Sequence, residues 1–264
     1  MSEPAVLYAE QGAVAIITLN RPQSLNSFTR QMHHDMWAAL DQAHANAVVR
    51  ALVITGAGRG FCAGADLVEF DFEPGPDLVG RADPGPLIEQ AFNPTVRRLQ
   101  NLRLPTIAAV NGVAAGAGAS LALTCDIAIA APTAIFIQAF SKIGLVPNAG
   151  GSWFLPQKVG LARATALALT GDKLSAAHAK EWGLIWDVAD DCLAAATTLA
   201  KRLASQPTQA LVATRHLLRD STGRTLHQQL DVERDTQSAM GKTDDYIEGV
   251  MAFREKRLPR FKGR

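Results

Sequence analysis

An excess of charge is the first thing this sequence lacks: 26 Lys and Arg stand against 25 Asp and Glu, a net charge of +1 over 264 residues. A chain so balanced has no broad field with which to hold nucleic acid or an anionic membrane. Cysteine is scarce as well. Cys62, Cys125 and Cys192 are odd in number and far apart, which excludes a disulfide scaffold and suits reduced thiols in the cytosol. Neither they nor the six histidines show compact ligand spacing, so no metal is expected. The opening residues MSEPAVLYAE lack a basic region followed by an apolar core, so no signal peptide is read. The most apolar stretch, 106–131, is interrupted by Asn111, Ser120 and Asp126 and is dominated by Ala and Gly, which argues against a membrane span.

What is present is apolar mass and glycine. Hydrophobic residues make up 48% and charged residues 19%, enough to build a buried core and to exclude disorder of the whole chain. The length suits one α/β domain, with or without a helical appendage.

Short apolar runs at 6–10 and 14–19 around Gln11 and Gly12 predict a hairpin. Met32, Met36, Trp37 and Leu40 recur at helical spacing over 28–45, with Thr29 as N-cap. Residues 51–55, 106–110 and 127–131 read as buried strands. Strand, glycine-rich turn and helix follow one another twice, over 51–67 and 106–121, which supports stacked ββα-like units. Residues 71–86 hold four prolines and three glycines and predict a surface loop able to cover a site. Beyond Gly171 helix signals dominate: Ser175 caps a segment ending at Gly183, and Thr243 with Asp244 and Asp245 opens another.

Three segments carry the candidate chemistry: 60–67 (GFCAGADL), 111–121 (NGVAAGAGASL) and 144–151 (GLVPNAGG). A developing oxyanion needs donors already aimed at it, and unpaired N–H groups at turns and helix starts meet that need. Glycine permits the tight turns, while the small side chains of Ala65 and Ala117 keep the approach open.

These segments together resemble the crotonase, or enoyl-CoA hydratase and isomerase, superfamily. The stretches 93–99 (NPTVRRL), 139–145 (AFSKIGL) and 230–235 (LDVERD) resemble its epoxyphenylacetyl-CoA isomerases. The resemblance covers nearly the whole chain. It implies an α/β fold, a spiral of ββα units over 1–200, and a C-terminal helical trimerisation region over 201–264, in a homotrimer or dimer of trimers. It implies an acyl-CoA thioester as ligand, with coenzyme A part of the substrate and no separate cofactor. By motif, Ala65 and Ala117 would donate their N–H groups to the thioester oxygen. The segments Gln23, Ser24, Leu25 and Ala63, Gly64, Asp66, Leu67 would line the ligand with Gly116, and Phe253 with Lys256 would reach the nucleotide end; a solvated basic tail is the alternative for Lys256.

The family's hydratases use two glutamates, and the matching positions are Ser120 and Phe140, neither a general acid or base. Hydration is thereby disfavoured; Ser120 reads as a helix residue and Phe140 as a pocket wall or core residue. The isomerases most similar to this chain carry an aspartate where Asn148 follows Pro147. An amide exchanges hydrogen bonds but takes no proton. Asn148 therefore orients substrate, is replaced as base by another acid, marks a form that binds without turnover, or merely stabilises its turn. Asp66 and Glu69 are the substitute acids at hand, although Asp66 suits a helix start and Glu69 a solvent face. His33 and His34 read as surface or packing residues, Asp126 as structural, and Trp153, Trp182 and Trp186 as core or subunit-contact residues. The expectation is an acyl-CoA isomerase acting through an enolate, with an enoyl-CoA hydratase and a non-catalytic acyl-CoA binder as alternatives.

Overall fold

A computed structural model describes residues 4–264. The hairpin forms as expected: β1 (Val6–Gln11) runs antiparallel to β2 (Val14–Leu19), with Val6 opposite Leu19. Helix α1 (Arg30–Ala45) starts where the Thr29 hydroxyl accepts the Met32 N–H at 3.2 Å, and it buries Met32, Met36 and Leu40.

From β3 (Ala51–Gly56) onward one pattern recurs. A long strand joins a first sheet, a short strand joins a second, and a helical segment crosses back. β3, β4 (Gly60–Cys62) and α2 (Asn93–Gln100) form one such turn. β5 (Thr106–Val110), β6 (Val113–Ala115) and α3 (Ala117–Thr124) form the next. β7 (Ile127–Ala130), β8 (Ile135–Ile137) and α4 (Gly151–Val159) form the third. Helices α5 (Leu161–Thr170) and α6 (Ala176–Glu181) flank β9 (Lys173–Ser175), and β10 (Asp187–Val188) follows. The first sheet has the order β1-β2-β3-β5-β7-β10 and the second β4-β6-β8-β9. From β2 to β10 the first sheet is parallel, so its inner strands are covered on both faces, which explains the unbroken apolar runs of β3 and β5. The spiral of ββα units is thus present.

Successive turns stack one strand spacing apart, so the loop after β4 lies beside the start of α3. Small residues make that contact possible. A Cβ at Gly118 would fall 2.1 Å from the Cys62 carbonyl oxygen, so only glycine lets α3 settle on β4.

Helix α7 (Cys192–Ala204) covers the outer face of the first sheet through Cys192, Ala196, Leu199 and Ala200, and it runs across position 200. The remaining helices are α8 (Thr208–Asp220), α9 (Leu226–Met240) and α10 (Asp244–Arg254). Ser175 and Thr243 cap α6 and α10 as expected. Arg50, just before β3, fastens this region to the sheet through the Thr208 hydroxyl at 2.9 Å, the Phe261 carbonyl at 2.6 Å and the Gln206 carbonyl. Asp126 is structural, as read: it accepts the Thr106 N–H at 2.8 Å and pairs with Arg215 and Arg219 of α8.

One expectation needs correction. The 71–86 segment is not all loop, because Leu78–Arg81 and Gly85–Leu87 are helical turns, and Arg81 ties the segment to Asp71 and to the Glu73 carbonyl. Of the tryptophans read as core or subunit-contact residues, Trp182 packs against the core beneath Arg163, whereas Trp153 and Trp186 are exposed on the single chain.

Replacing Gly118 by alanine forces α3 off β4. The expected loss is about 1–3 kcal/mol, seen in a thermal melt as about 2–4 °C per kcal/mol.

Candidate active site

After β4 a short ladder ties the chain to the segment before α1. Ala63 N–H donates to the Leu25 carbonyl at 2.9 Å, Phe28 N–H to that of Gly64 at 2.7 Å, and Asp66 N–H to that of Phe28 at 2.9 Å. Residue 65 faces the other way in this ladder, so its N–H is the one left over. Gly64 makes the turn at φ +99°, where a side chain would be strained. On the neighbouring turn, Gly116 N–H donates to the Ile137 carbonyl at 2.9 Å, and the backbone enters α3 at φ +52°. Ala117 is the first residue of α3, and its N–H has neither a helical acceptor nor a side-chain cap. A Cβ on Gly64 would lie 3.3 Å from the Ala117 nitrogen, so the two turns touch.

The surroundings of these donors are rigid. Pro22–Ser24 form a tight turn, and the buried Asn26 holds it through Arg21 N–H, the Ala57 carbonyl and the Gly60 carbonyl. Ser24 bonds back to the Arg21 carbonyl, Leu25 packs against Gly60, and Gln23 lines a groove of about 750 Å³ with Arg21 and Asp35. Leu67 stands exposed at the rim.

Neither substitute acid is free. Asp66 is buried, which opposes ionisation, yet hydrogen bonds from Arg21 at 2.7 Å, the Val68 N–H at 3.2 Å and the Ser27 hydroxyl at 2.9 Å hold its pKa below the usual carboxylate range. A carboxylate so saturated is a clamp between segments and a poor base. Glu69 is not solvated as read but half-buried, 3.5 Å from the Arg30 guanidinium. His33 is a packing residue, stacked on Phe28, its Nδ1 2.8 Å from the Thr95 hydroxyl. Burial, then the charges of His34 and Arg30, lower its pKa to about 3, so the ring stays neutral.

The third turn brings its residues to the same place. Ser120 is fully buried, bonded to the Gly116 carbonyl at 3.3 Å, and the Phe140 ring walls the donor turn 3.7 Å from where a Gly116 Cβ would stand. Pro147 and Asn148 are half-buried, and a Cβ on Gly151 would lie 2.6 Å from the Ser120 hydroxyl and 3.5 Å from Pro147 Cβ. The turn is closed by backbone, Gly151 N–H donating to the Asn148 carbonyl at 2.9 Å, with Ala149 at φ +51°. The Asn148 side chain takes no part: its Oδ1 is buried without a partner. That geometry removes the turn-stabilising reading of the amide. Phe253 and Lys256, by contrast, are exposed at the end of α10, and the pocket at Phe253 contains none of these loop residues.

The family model described as Enoyl-CoA hydratase/isomerase matches residues 9–264. The chain belongs to this family. It is 49% identical over 269 residues to the 1,2-epoxyphenylacetyl-CoA isomerase of Escherichia coli K12, covering 100% of both proteins. Identity to the 2,3-dehydroadipyl-CoA hydratase of the same organism is 35% over 266 residues, again covering 100% of both. The crystal structure of an enoyl-CoA hydratase from Bacillus anthracis superposes with a TM-score of 0.89 at 32% identity, covering 98% of this chain and 100% of that one.

This member of the enoyl-CoA hydratase/isomerase family is accordingly an enzyme with the family's CoA-thioester hydratase/isomerase chemistry. One polar neighbour escaped the reading of the sequence. Gln138, 4% exposed, follows β8 directly, and its Oε1 is unpartnered beside Gly151 and Ser120. A glutamine interrupting the apolar run 134–140 was the signal available. An unpaired buried carbonyl costs about 1–3 kcal/mol.

Proline at the first position of a helix is tolerated and has no N–H. Ala117→Pro should therefore leave the circular dichroism spectrum unchanged and lower kcat on an acyl-CoA substrate about 100- to 1000-fold in steady-state assays.

Proposed function

We propose that the chain is an acyl-CoA isomerase working through a thioester enolate, on a 3-enoyl-CoA or a ring-epoxide thioester. The observation that supports this reading is the contact between the Gly64 and Gly116 turns, each followed by an N–H group, at Ala65 and Ala117, that has no backbone acceptor. An enoyl shift needs a base to take the α-proton and return it at the γ-carbon while negative charge collects on the thioester oxygen at these donors, and a carboxylate at 148 would be that base. In a strained-ring substrate the same donors hold the charge while the ring rearranges. No further cofactor is needed for either path.

Hydration is the weaker reading, because Ser120 and Phe140 supply no carboxylate to activate water. Asn148 keeps the place next to the reacting carbon but exchanges only hydrogen bonds, so proton transfer limits turnover and ring rearrangement is the better-suited reaction. With Asp66 clamped and Glu69 paired, neither stands in as base.

Isomerisation of 3-enoyl-CoA and of a ring-epoxide thioester should be followed for the wild type and Asn148→Asp. A carboxylate at 148 should raise kcat for the enoyl shift by about 100-fold or more. Loss of all isomerisation in both proteins overturns the reading.

The same reading places the enzyme in the cytosol as a homotrimer or dimer of trimers. Supporting this are three buried free thiols and the exposed Leu226, Leu230, Ile247 and Phe253 on α9 and α10. Light scattering on the purified chain should give a mass three or six times that of one chain; a monomer contradicts it.

A further inference from the structure

A cleft at the end of α3 opposite Ala117 belongs to none of the foregoing chemistry. It encloses about 330 Å³ between that helix end, the last turn of α4 and the last turns of α8, and its charged lining is Asp126, Lys158, Arg215 and Arg219. One carboxylate thus faces three cations. Its oxygens are already divided, Oδ2 accepting from the Thr106 N–H at 2.8 Å and from Arg215 at 3.3 Å, Oδ1 from Arg219 at 3.2 Å. Lys158 is left over: among the described residues it has no hydrogen-bond or ion-pair partner, although it is half-buried and burial lowers its pKa. Arg215 lies deeper, 7% exposed, donating to the Leu102 and Leu104 carbonyls, with its Nε buried and unpartnered. It adds charge behind the wall, while Lys158 and the more open Arg219 are the groups a ligand could touch.

Cations often gather at a helix C-terminus to meet its unpaired carbonyls, but those of α3 are already met. The Ser120 carbonyl accepts the Thr124 hydroxyl at 2.9 Å, the Leu121 carbonyl the Cys125 thiol at 3.8 Å, and the Thr124 carbonyl the Gln100 amide at 2.8 Å. His216 on α8 senses the same excess: burial first, then Arg215 and Arg219, lower its pKa. Positive charge drawn partly out of water and left without a counter-charge favours whichever anion enters beside it. We infer that this cleft binds a tetrahedral oxyanion of the phosphate class, held by the Lys158 ammonium and the Arg219 guanidinium with Arg215 behind them. Two uncompensated cations favour a dianion over chloride, and ammonium and guanidinium are the side-chain donors suited to phosphate oxygens. The cleft lies about 10 Å along α3 from Ala117, and the inference does not rest on the acyl-CoA reading.

Calorimetry on the full chain at constant ionic strength measures the binding of inorganic phosphate, first alone and then with butyryl-CoA at saturation. Two charge-assisted contacts correspond to a Kd on the order of 1 mM, and the thioester should leave it unchanged. Lys158→Gln should raise that Kd about tenfold or more, Lys158→Arg should keep it, and Lys201→Gln on the exposed side of α7 should have no effect. Should the glutamine variant fail to fold, Lys158→Met takes its place with the same expectation. Glycerol 3-phosphate is titrated in parallel: binding as tight as phosphate supports a site that recognises a phosphoryl group on a carrier, and binding of phosphate alone supports a site for the free ion. No phosphate binding, equal binding in Lys158→Gln, or displacement of phosphate by butyryl-CoA overturns the inference.

Discussion

The structure depends on the meeting of two adjoining turns of the spiral, whose N–H groups at Ala65 and Ala117 have no backbone acceptor. The backbone next to them is paired. The ladder between 25–28 and 63–66 pairs each neighbouring group, Asn26 satisfies three backbone partners, and the Gly116 N–H is held by the end of β8. The stacking of ββα units supplies the remaining condition, since it sets consecutive turns one strand apart and Gly118 lets α3 close the distance.

Electrostatics around the donors follow the same economy. The acids nearest in sequence are engaged, Asp66 by Arg21, Ser27 and Val68, and Glu69 by Arg30. What remains nearby is neutral: Ser120 on α3, and Phe140, Asn148 and Gln138 on the third turn. In the proposed reading, such a site would stabilise developing negative charge through dipoles already in place, with no free carboxylate to move a proton.

Legibility in the sequence tracked the range of the interactions. The hairpin, the caps at Thr29, Ser175 and Thr243, and the glycine turns each depend on residues within a few positions, and their bounds were readable to within a residue or two. The family resemblance then supplied what local patterning cannot, namely that segments around 65, 117 and 148 converge. Contacts joining distant positions were invisible: Arg21 with Asp66 is 45 residues apart, and Asp126 with Arg219 is 93. The clamp on Asp66, read as a helix-start acid, went unseen for that reason. Gln138 went unread because a lone polar residue beside an apolar strand has the same pattern whether it faces solvent or the interior.

The groups that receive charge here belong to the peptide backbone, and substitution of ordinary side chains cannot delete them. Positions 138, 140 and 148 stand near those groups on the next turn, with 120 on the helix that Ala117 opens, and these side chains can therefore be exchanged almost as tools in a fixed holder. A laboratory lineage that varied only these four sites would explore hydration, double-bond migration and ring opening without rebuilding its scaffold, and natural divergence within the fold has the same route open to it.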